Sequence, residues 1–360
     1  MTMPVLLERQ NTNAQALSAS PLTFFASLTD GPSVFRRTLE LLRAISPETL
    51  PFSNVLSTPI FLNQDAMQIL RSIQARGGTV CFDSGGYYVQ VGKIDFYSLY
   101  RRVLETYKQN QWADWYILPD YVPTSADSGE DVSFKVRETV SFSTMFYQEM
   151  PDDLKDRAVP VVHGRTAKDI DYCLESYLKL GVRAVAFGSF TTCGKGQEAN
   201  IATHAAIAHV RTIVQVARSA GLRVHLLGLG SPSLVAMLRG VGTSSFDSAS
   251  WIKSAGFGQV HLPFVRGYNV TYRSGVSEIQ KGITWERFLE LKEVTGHSCI
   301  YCESYEILTE KKMHRAIHNL LCITESVQMV NAGDMGRIAR IYKNGSPKYR
   351  KAMAEWLEDL

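Results

Sequence analysis

Short apolar runs recur along this chain, and each gives way to a stretch with helical periodicity. The runs are TVCFDSGG from Thr79, WYILPDY from Trp115, AVPVVHG from Ala158, AVAFGSF from Ala184, RVHLLGLG from Arg223 and SSFDSAS from Ser244. VLSTPIFLN, from Val55, precedes them. Segments 96–109, 167–180, 205–220 and 232–240 read as helices between them. Strands covered on both faces read as continuous apolar runs, and strands that alternate with helices form parallel sheets. This many units predicts an α/β fold, a (β/α)8 TIM barrel of roughly 250 residues. An open doubly wound sheet is the alternative. No Gly-x-Gly-x-x-Gly opens a helix after the first strand, which argues against a dinucleotide site.

The chain has 360 residues, 45% hydrophobic and 20% charged, so it can bury a sizeable core. The expected division is 1–50, an N-terminal extension leading into the barrel, then 51–290, the catalytic barrel, then 291–360, a zinc-binding helical subdomain. Residues 1–50 carry no clear motif. No apolar run reaches the ~18 residues of a membrane span. The start lacks a basic segment followed by a long apolar one, so no secretory signal and a cytoplasmic location are expected. The formal charge of +3 neither demands nor excludes a nucleic-acid partner, because a local patch matters more than the sum.

Almost every run ends in a polar or glycine signature. These are Asp83-Ser84-Gly85-Gly86, Asp120, His163-Gly164, Gly188-Ser189, Gly228-Leu229-Gly230 and Asp247. In a barrel of parallel strands all these ends lie on one face, the face that carries active sites. Aspartate and glycine also mark turns and helix caps. Asp83 and Asp247 both follow an apolar run directly, and that pairing favours chemistry.

GHSCIYC places His297, Cys299 and Cys302 together, and His318 follows in AIHNLLC. Two thiolates and two imidazoles suit tetrahedral zinc. Four protein ligands leave no open position, so one structural Zn2+ per chain is expected. His314 and Cys322 lie one helical turn either side of His318 and compete for a ligand place. The alternative is two buried free cysteines beside surface histidines. The tail 337–351 is basic, with Arg337, Arg340 and Lys343 among its charges. It reads either as a solvated helix face or as a phosphate-contacting strip.

Taken in order, these motifs resemble the tRNA-guanine transglycosylase family over about residues 55–330. FDSGGY is similar to that family's Asp-Ser-Gly-Gly-aromatic signature. HLLGLGSPSLVAMLRGVGTSSFDSAS resembles its Gly-x-Gly-x-Pro segment leading to the nucleophile's Phe-Asp. HSCIYC with the later His-Asn resembles its zinc segment, with His297 in place of the first of three cysteines. The resemblance implies exchange of guanine in a polynucleotide for a 7-deazaguanine such as preQ0, without strand cleavage. It implies Asp247 as nucleophile and Asp83 as general acid/base. Asp120 would read the purine's donor edge, and Tyr87 and Leu227 would sandwich the ring. Ser84, Gly85, Gly86, His163, Gly164, Gly188, Ser189 and Gly228 would line the base site.

The chemistry asks for such a set in its own right. A glycosidic bond breaks through an oxocarbenium-like state, and one carboxylate as nucleophile with another as acid/base retains configuration. The leaving base needs a proton, so Asp83 must carry one near pH 7. Glycines after Asp83 let a flat base approach the backbone, and the tyrosine offers a π-face.

Departures from the family pattern set the substrate expectation. Tyr88 and His163 stand where glutamines are expected, and DSASWIKSAGFG replaces the Asp-x-x-x-Pro-Thr-Arg continuation. In tRNA-modifying bacterial members that arginine-rich stretch helps grip the anticodon loop. The chain is therefore most similar to the family's divergent DNA-modifying branch, the DNA-guanine transglycosylases. DNA is the expected polymer, with a tRNA-guanine transglycosylase as the alternative. Lys253 and the 337–351 strip are the candidate phosphate contacts. A target guanine must leave its stack, so a duplex-opening partner protein is a further expectation. A non-catalytic nucleic-acid-binding subunit and an unrelated zinc-bearing barrel enzyme, a glycosidase or aldolase, are the remaining alternatives.

Overall fold

The computed structural model describes residues 21–28, 31–45, 53–124, 126–188, 204–271 and 282–345. Nine short parallel strands form one sheet, wrapped by helices into a nearly closed barrel. They are β1 Thr23–Ser27, β2 Asn54–Ser57, β3 Thr79–Phe82, β4 Trp115–Ile117, β5 Ala158–Val159, β6 Val161–Val162, β7 Ala184–Phe187, β8 Arg223–Leu226 and β9 Ser245–Ser248. Their order is β5-β4-β3-β2-β1-β9-β8-β7-β6. The two ends of that order, β5 and β6, are separated in sequence by Pro160 alone. Proline has no N–H to give a ladder, so the run AVPVV is cut in two. Ala158 and Val159 pair with β4, while Val161 and Val162 pair with β7.

Each apolar run anticipated from the sequence holds a strand. One strand of this sheet was not anticipated. β1 lies within residues 1–50 and pairs with both β2 and β9. The barrel therefore begins before residue 51, and the expected boundary there falls inside it. The helices Phe96–Gln109, Ala167–Leu180 and His204–Ser219 match expectation within a residue. Ala167–Leu180 shows why the sequence sets such limits. Thr166 and Asp169 close a capping box at its start, and Gly181 ends it in the left-handed conformation.

The core sorts into two layers by the two-residue period of the strands. Phe24, Val55, Val80, Tyr116, Val185, Val224 and Phe246 face the helices. Phe25, Leu56, Cys81, Ile117, Val159, Val161, Ala184 and Ala186 face one another inside the barrel. β1 to β6 contribute one residue each to that inner layer and β7 contributes two, so the interior is thin. What lies one inward step beyond it is the barrel rim.

The C-terminal helices dock on the barrel. The helix Lys312–Asn331 lies against the helix Ser250–Gly256, which follows β9, and against a hairpin, β10 Gln259–Leu262 with β11 Val265–Asn269. Buried amides fix its position. Asn319 Oδ1 accepts from the His261 N–H at 2.7 Å, and its Nδ2 donates to the carbonyls of Gln259 (3.0 Å) and Trp251 (3.3 Å). Asn331 exchanges two bonds with the backbone of Leu22, just before β1, both 2.8 Å. Arg315 is buried and donates from Nε and Nη2 to the Ala255 carbonyl. No described helix is long and apolar enough to cross a membrane.

Asn319→Ala would leave three buried backbone groups without their partner. Each such loss costs about 1–3 kcal/mol. Urea unfolding of the variant should lose at least about 2 kcal/mol against wild type. A loss indistinguishable from zero would show that the amide does not hold this helix.

Candidate functional site: a carboxylate mouth and a His/Cys cluster

The inward register carries chemistry past the ends of the strands. Asp83 stands two residues beyond Cys81, Asp247 two beyond Ser245, His163 two beyond Val161, Gly188 two beyond Ala186 and Leu227 two beyond His225. All the strands are parallel, so these positions gather at one mouth.

Asp247 is buried and held by groups from β1, from β8 and from the turn after β8. The Ser27 hydroxyl donates to its Oδ2 at 2.6 Å, and the Gly228 N–H donates to Oδ1 at 2.8 Å. His225 Nε2 lies 3.4 Å from the same Oδ1, while its Nδ1 is 2.8 Å from the Ser245 hydroxyl. The register makes this arrangement: Phe25 pairs with Asp247, so Ser27 is the next inward residue on the neighbouring strand. A carboxylate with donors on both oxygens is fixed in orientation.

Asp83 has a different environment. Thr58 Oγ1 donates to its Oδ2 at 2.9 Å. Burial, then the charges of Asp120 and Asp247, push its carboxyl up from 3.8 to about 7, against the Thr58 hydrogen bond. Two acids at one mouth are thus separated in role: one half-protonated near neutrality, one anchored by donors.

Asp120 is buried, with His163 Nε2 2.8 Å from its Oδ2 and the Ser84 hydroxyl 3.2 Å from its Oδ1. A Cβ on Gly86 would overlap that carboxylate, so the turn after Asp83 must be glycine to let Asp120 in. Gly85 has φ 85°, a conformation glycine adopts without strain. The turn then starts the short helix Gly86–Gln90, which presents Tyr87 at 59% exposure. Across the mouth, Lys253 Nζ sits 5.9 Å from the Tyr87 ring centre. A Cβ on Gly188 would meet His163, Val161 and Leu227 side chains, which brings those residues together on the opposite wall. Gly164, next to His163, packs on Asp169. Ser189 lies outside the described residues.

A second group forms behind the hairpin. One ligand atom each from His297, Cys299, Cys302 and His318 lies within 4.8 Å of the others, and the group could hold a metal ion. The separations are 3.5 Å between the two sulfurs, 3.2 Å between His297 Nε2 and His318 Nδ1, and 3.4 Å between Cys299 Sγ and His318 Nδ1. Tetrahedral zinc, with bonds of ~2.3 Å to sulfur and ~2.0 Å to nitrogen, sets its ligands ~3.7 Å and ~3.3 Å apart. The donor set is compatible with zinc. The outer nitrogens are fixed as metal-binding histidines require: His297 Nδ1 on Glu325 (2.7 Å) and His318 Nε2 on the His261 carbonyl (2.8 Å). Of the two competitors, His314 packs on the Tyr301 ring, while Cys322 borders the group, its Sγ 3.8 Å from His297 Nε2 and 3.7 Å from His318 Nε2, and bonds the His261 carbonyl.

The basic strip is divided. Arg337 is half-buried, its Nη2 on the Thr295 carbonyl at 2.7 Å, where it caps the helix Trp285–Thr295. Arg340 and Lys343 are exposed on the helix Met335–Gly345. Residues 346–351 lie outside the described residues. A cavity of about 290 Å3, lined by Thr23, Cys81, Trp115 and Arg223 among others, opens at the starts of the strands, away from the carboxylates. Ser27, Thr58 and His225 belong to the site but were not anticipated. The inward period from Phe25 and Leu56 was the signal for the first two. No family model matches the chain, and no curated protein matches it either.

Two measurements follow from these geometries. Folded Asp83 keeps its proton to about pH 7, whereas an unfolded aspartate loses it near 3.8. Between those values the folded state binds more protons, so this group's contribution falls as pH rises. Wild-type unfolding free energy relative to Asp83→Asn should therefore decline from about pH 4 to about pH 7, then level off. A pH-independent difference would refute the raised pKa. For the cluster, metal analysis should return one ion per chain. Cys302→Ser should lower the melting temperature by about 5 °C or more, since a bound metal stabilises only the folded state. Metal-free protein with an unchanged melting temperature on substitution would remove the metal.

Proposed function

We propose that this chain is a guanine transglycosylase that exchanges guanine in DNA for a 7-deazaguanine base such as preQ0. The observation that carries the reading is the pair Asp83 and Asp247 at one barrel mouth, the first near-neutral in its titration, the second held by a donor on each oxygen. Counting β5 and β6 as one strand, the sheet reads as a (β/α)8 barrel, the scaffold the motif resemblance implies.

In the proposed reaction the Asp247 carboxylate attacks the anomeric carbon of the target nucleotide. The C–N bond breaks, its electron pair goes to the base, and Asp83 gives that base a proton. The incoming deazaguanine loses a proton to Asp83 and displaces Asp247, so configuration is retained. Ser27 and the Gly228 N–H keep Asp247 aimed, which helps attack. Asp120 still has free lone pairs on both oxygens, and accepts from the guanine donor edge. Its partner His163 orients it. Tyr87 and Leu227 cover the two faces of the base, with Gly188 leaving space beneath.

The His/Cys cluster holds a structural zinc in this reading: four protein ligands leave no position for water. Zinc there would fasten the segment 297–302 to the long helix that clamps the end of the barrel. The polymer enters along the Lys253 side of the mouth, and a partner protein opens duplex DNA for it.

Exchange of isotopically labelled guanine tests the proposal, with DNA and with tRNA as substrates. Wild type should incorporate label into DNA, and Asp247→Asn, which keeps the shape and removes the charge, should lose at least about a hundredfold. Label in tRNA alone would replace DNA with tRNA. Asp247→Asn exchanging at near wild-type rate, without reversion to aspartate, would refute the nucleophile.

A further inference from the structure

Beside the carboxylate mouth, three rings and three cations form a ladder. Tyr87, at the mouth, has its ring 5.9 Å from that of Tyr88, and Tyr88 is 4.1 Å from Phe61. Each ring carries its own cation. Lys253 Nζ lies 5.9 Å from the Tyr87 ring centre, Lys93 Nζ 5.3 Å from Tyr88, and Arg102 Cζ 5.5 Å from Phe61. Tyr87 is 59% and Phe61 40% exposed. Among the described residues no ion pair engages Lys93, Arg102 or Lys253, so their charge is unspent. Arg102 is steadied by one bond from Nη2 to the Ile60 carbonyl, 2.8 Å.

Two exposed rings with a half-buried ring between them, each beside a cation outside any ion pair, match a chain of planar, unpaired bases joined by phosphates. An apolar peptide would cover the rings but strand three cations. A duplex would meet the cations but keep its base faces stacked away from the rings. We propose that this ladder is the platform on which nucleotides flanking the target base stack, so that the chain takes its DNA single-stranded or locally opened. The proposal rests on the transglycosylase reading for the choice of DNA. Its direction follows from continuity: the first ring of the ladder is the one beside the base site, so the strand leaves the mouth over Tyr88 and Phe61.

Fluorescence anisotropy on the full chain tests this without any turnover. The probes are a labelled single-stranded DNA of about 12 nucleotides, the same sequence as a duplex, and the same sequence as RNA. Single-stranded DNA should bind tightest. Phe61→Ala should weaken it at least about fivefold, while Phe61→Trp, which keeps a stacking face, should stay within about twofold. Lys93→Ala should reduce the slope of log K against log salt by about 0.7. Melting temperatures equal to wild type would confirm that the variants fold. Unchanged binding in folded Phe61→Ala and Lys93→Ala would overturn the platform, as would duplex or RNA binding tighter than single-stranded DNA. Labelled-guanine exchange separates the two readings. Phe61-dependent binding without exchange supports the platform and counts against the reaction, whereas exchange with Phe61-independent binding does the reverse.

Discussion

Parallel strands in a closed sheet allow one direction for every second side chain, and the candidate chemistry depends on that constraint. The inner layer of the barrel is one residue deep on most strands, so the next inward position is already at the rim. Asp83, Asp247, His163 and Leu227 occupy those positions, and Ser27 and Thr58 do so on the strands between. The register β1 to β9 then decides the roles. With Phe25 opposite Asp247, Ser27 has no choice but to reach the carboxylate. A one-residue slip of β1 would turn Ser27 to the helices and remove a donor from Asp247.

The second constraint acts from outside. The helix Lys312–Asn331 holds both sides of the β1–β9 pair: Asn331 fixes the approach to β1, and Arg315 fixes the helix after β9. His318 lies on the same helix, with its Nε2 on the His261 carbonyl of the hairpin. The His/Cys cluster and the buried amides therefore brace the β1–β9 seam, where Ser27 meets Asp247. Stability of the C-terminal segment and geometry of the site are linked through that seam.

Much of this is legible in the sequence, and for a physical reason. Both-face burial writes β2 to β9 as apolar runs, and the glycine turns after them mark the rim. β1 escapes because TFFAS is short and ends in no glycine or aspartate signature. Ser27 and Thr58 escape for a related reason: a hydroxyl after a strand is common, and its meaning depends on which carboxylate the register sets opposite. The cluster His297, Cys299, Cys302 and His318 is legible from ligand chemistry and spacing, but where Cys322 sits, against both His297 Nε2 and His318 Nε2, depends on how the long helix packs. Arg337 looks like any other cation of the basic strip, and only the end of the helix Trp285–Thr295 gives it an occupation.

The central claim is that Asp247 becomes covalently joined to the target nucleotide. Intact-mass and peptide mass spectrometry of the full chain, quenched after incubation with guanine-containing single-stranded DNA and no incoming base, reads this directly. A retaining displacement predicts a mass increase equal to the DNA less one guanine, mapped to the peptide that contains Asp247. An adduct on another residue, or guanine release and exchange with no adduct on Asp247, would contradict it.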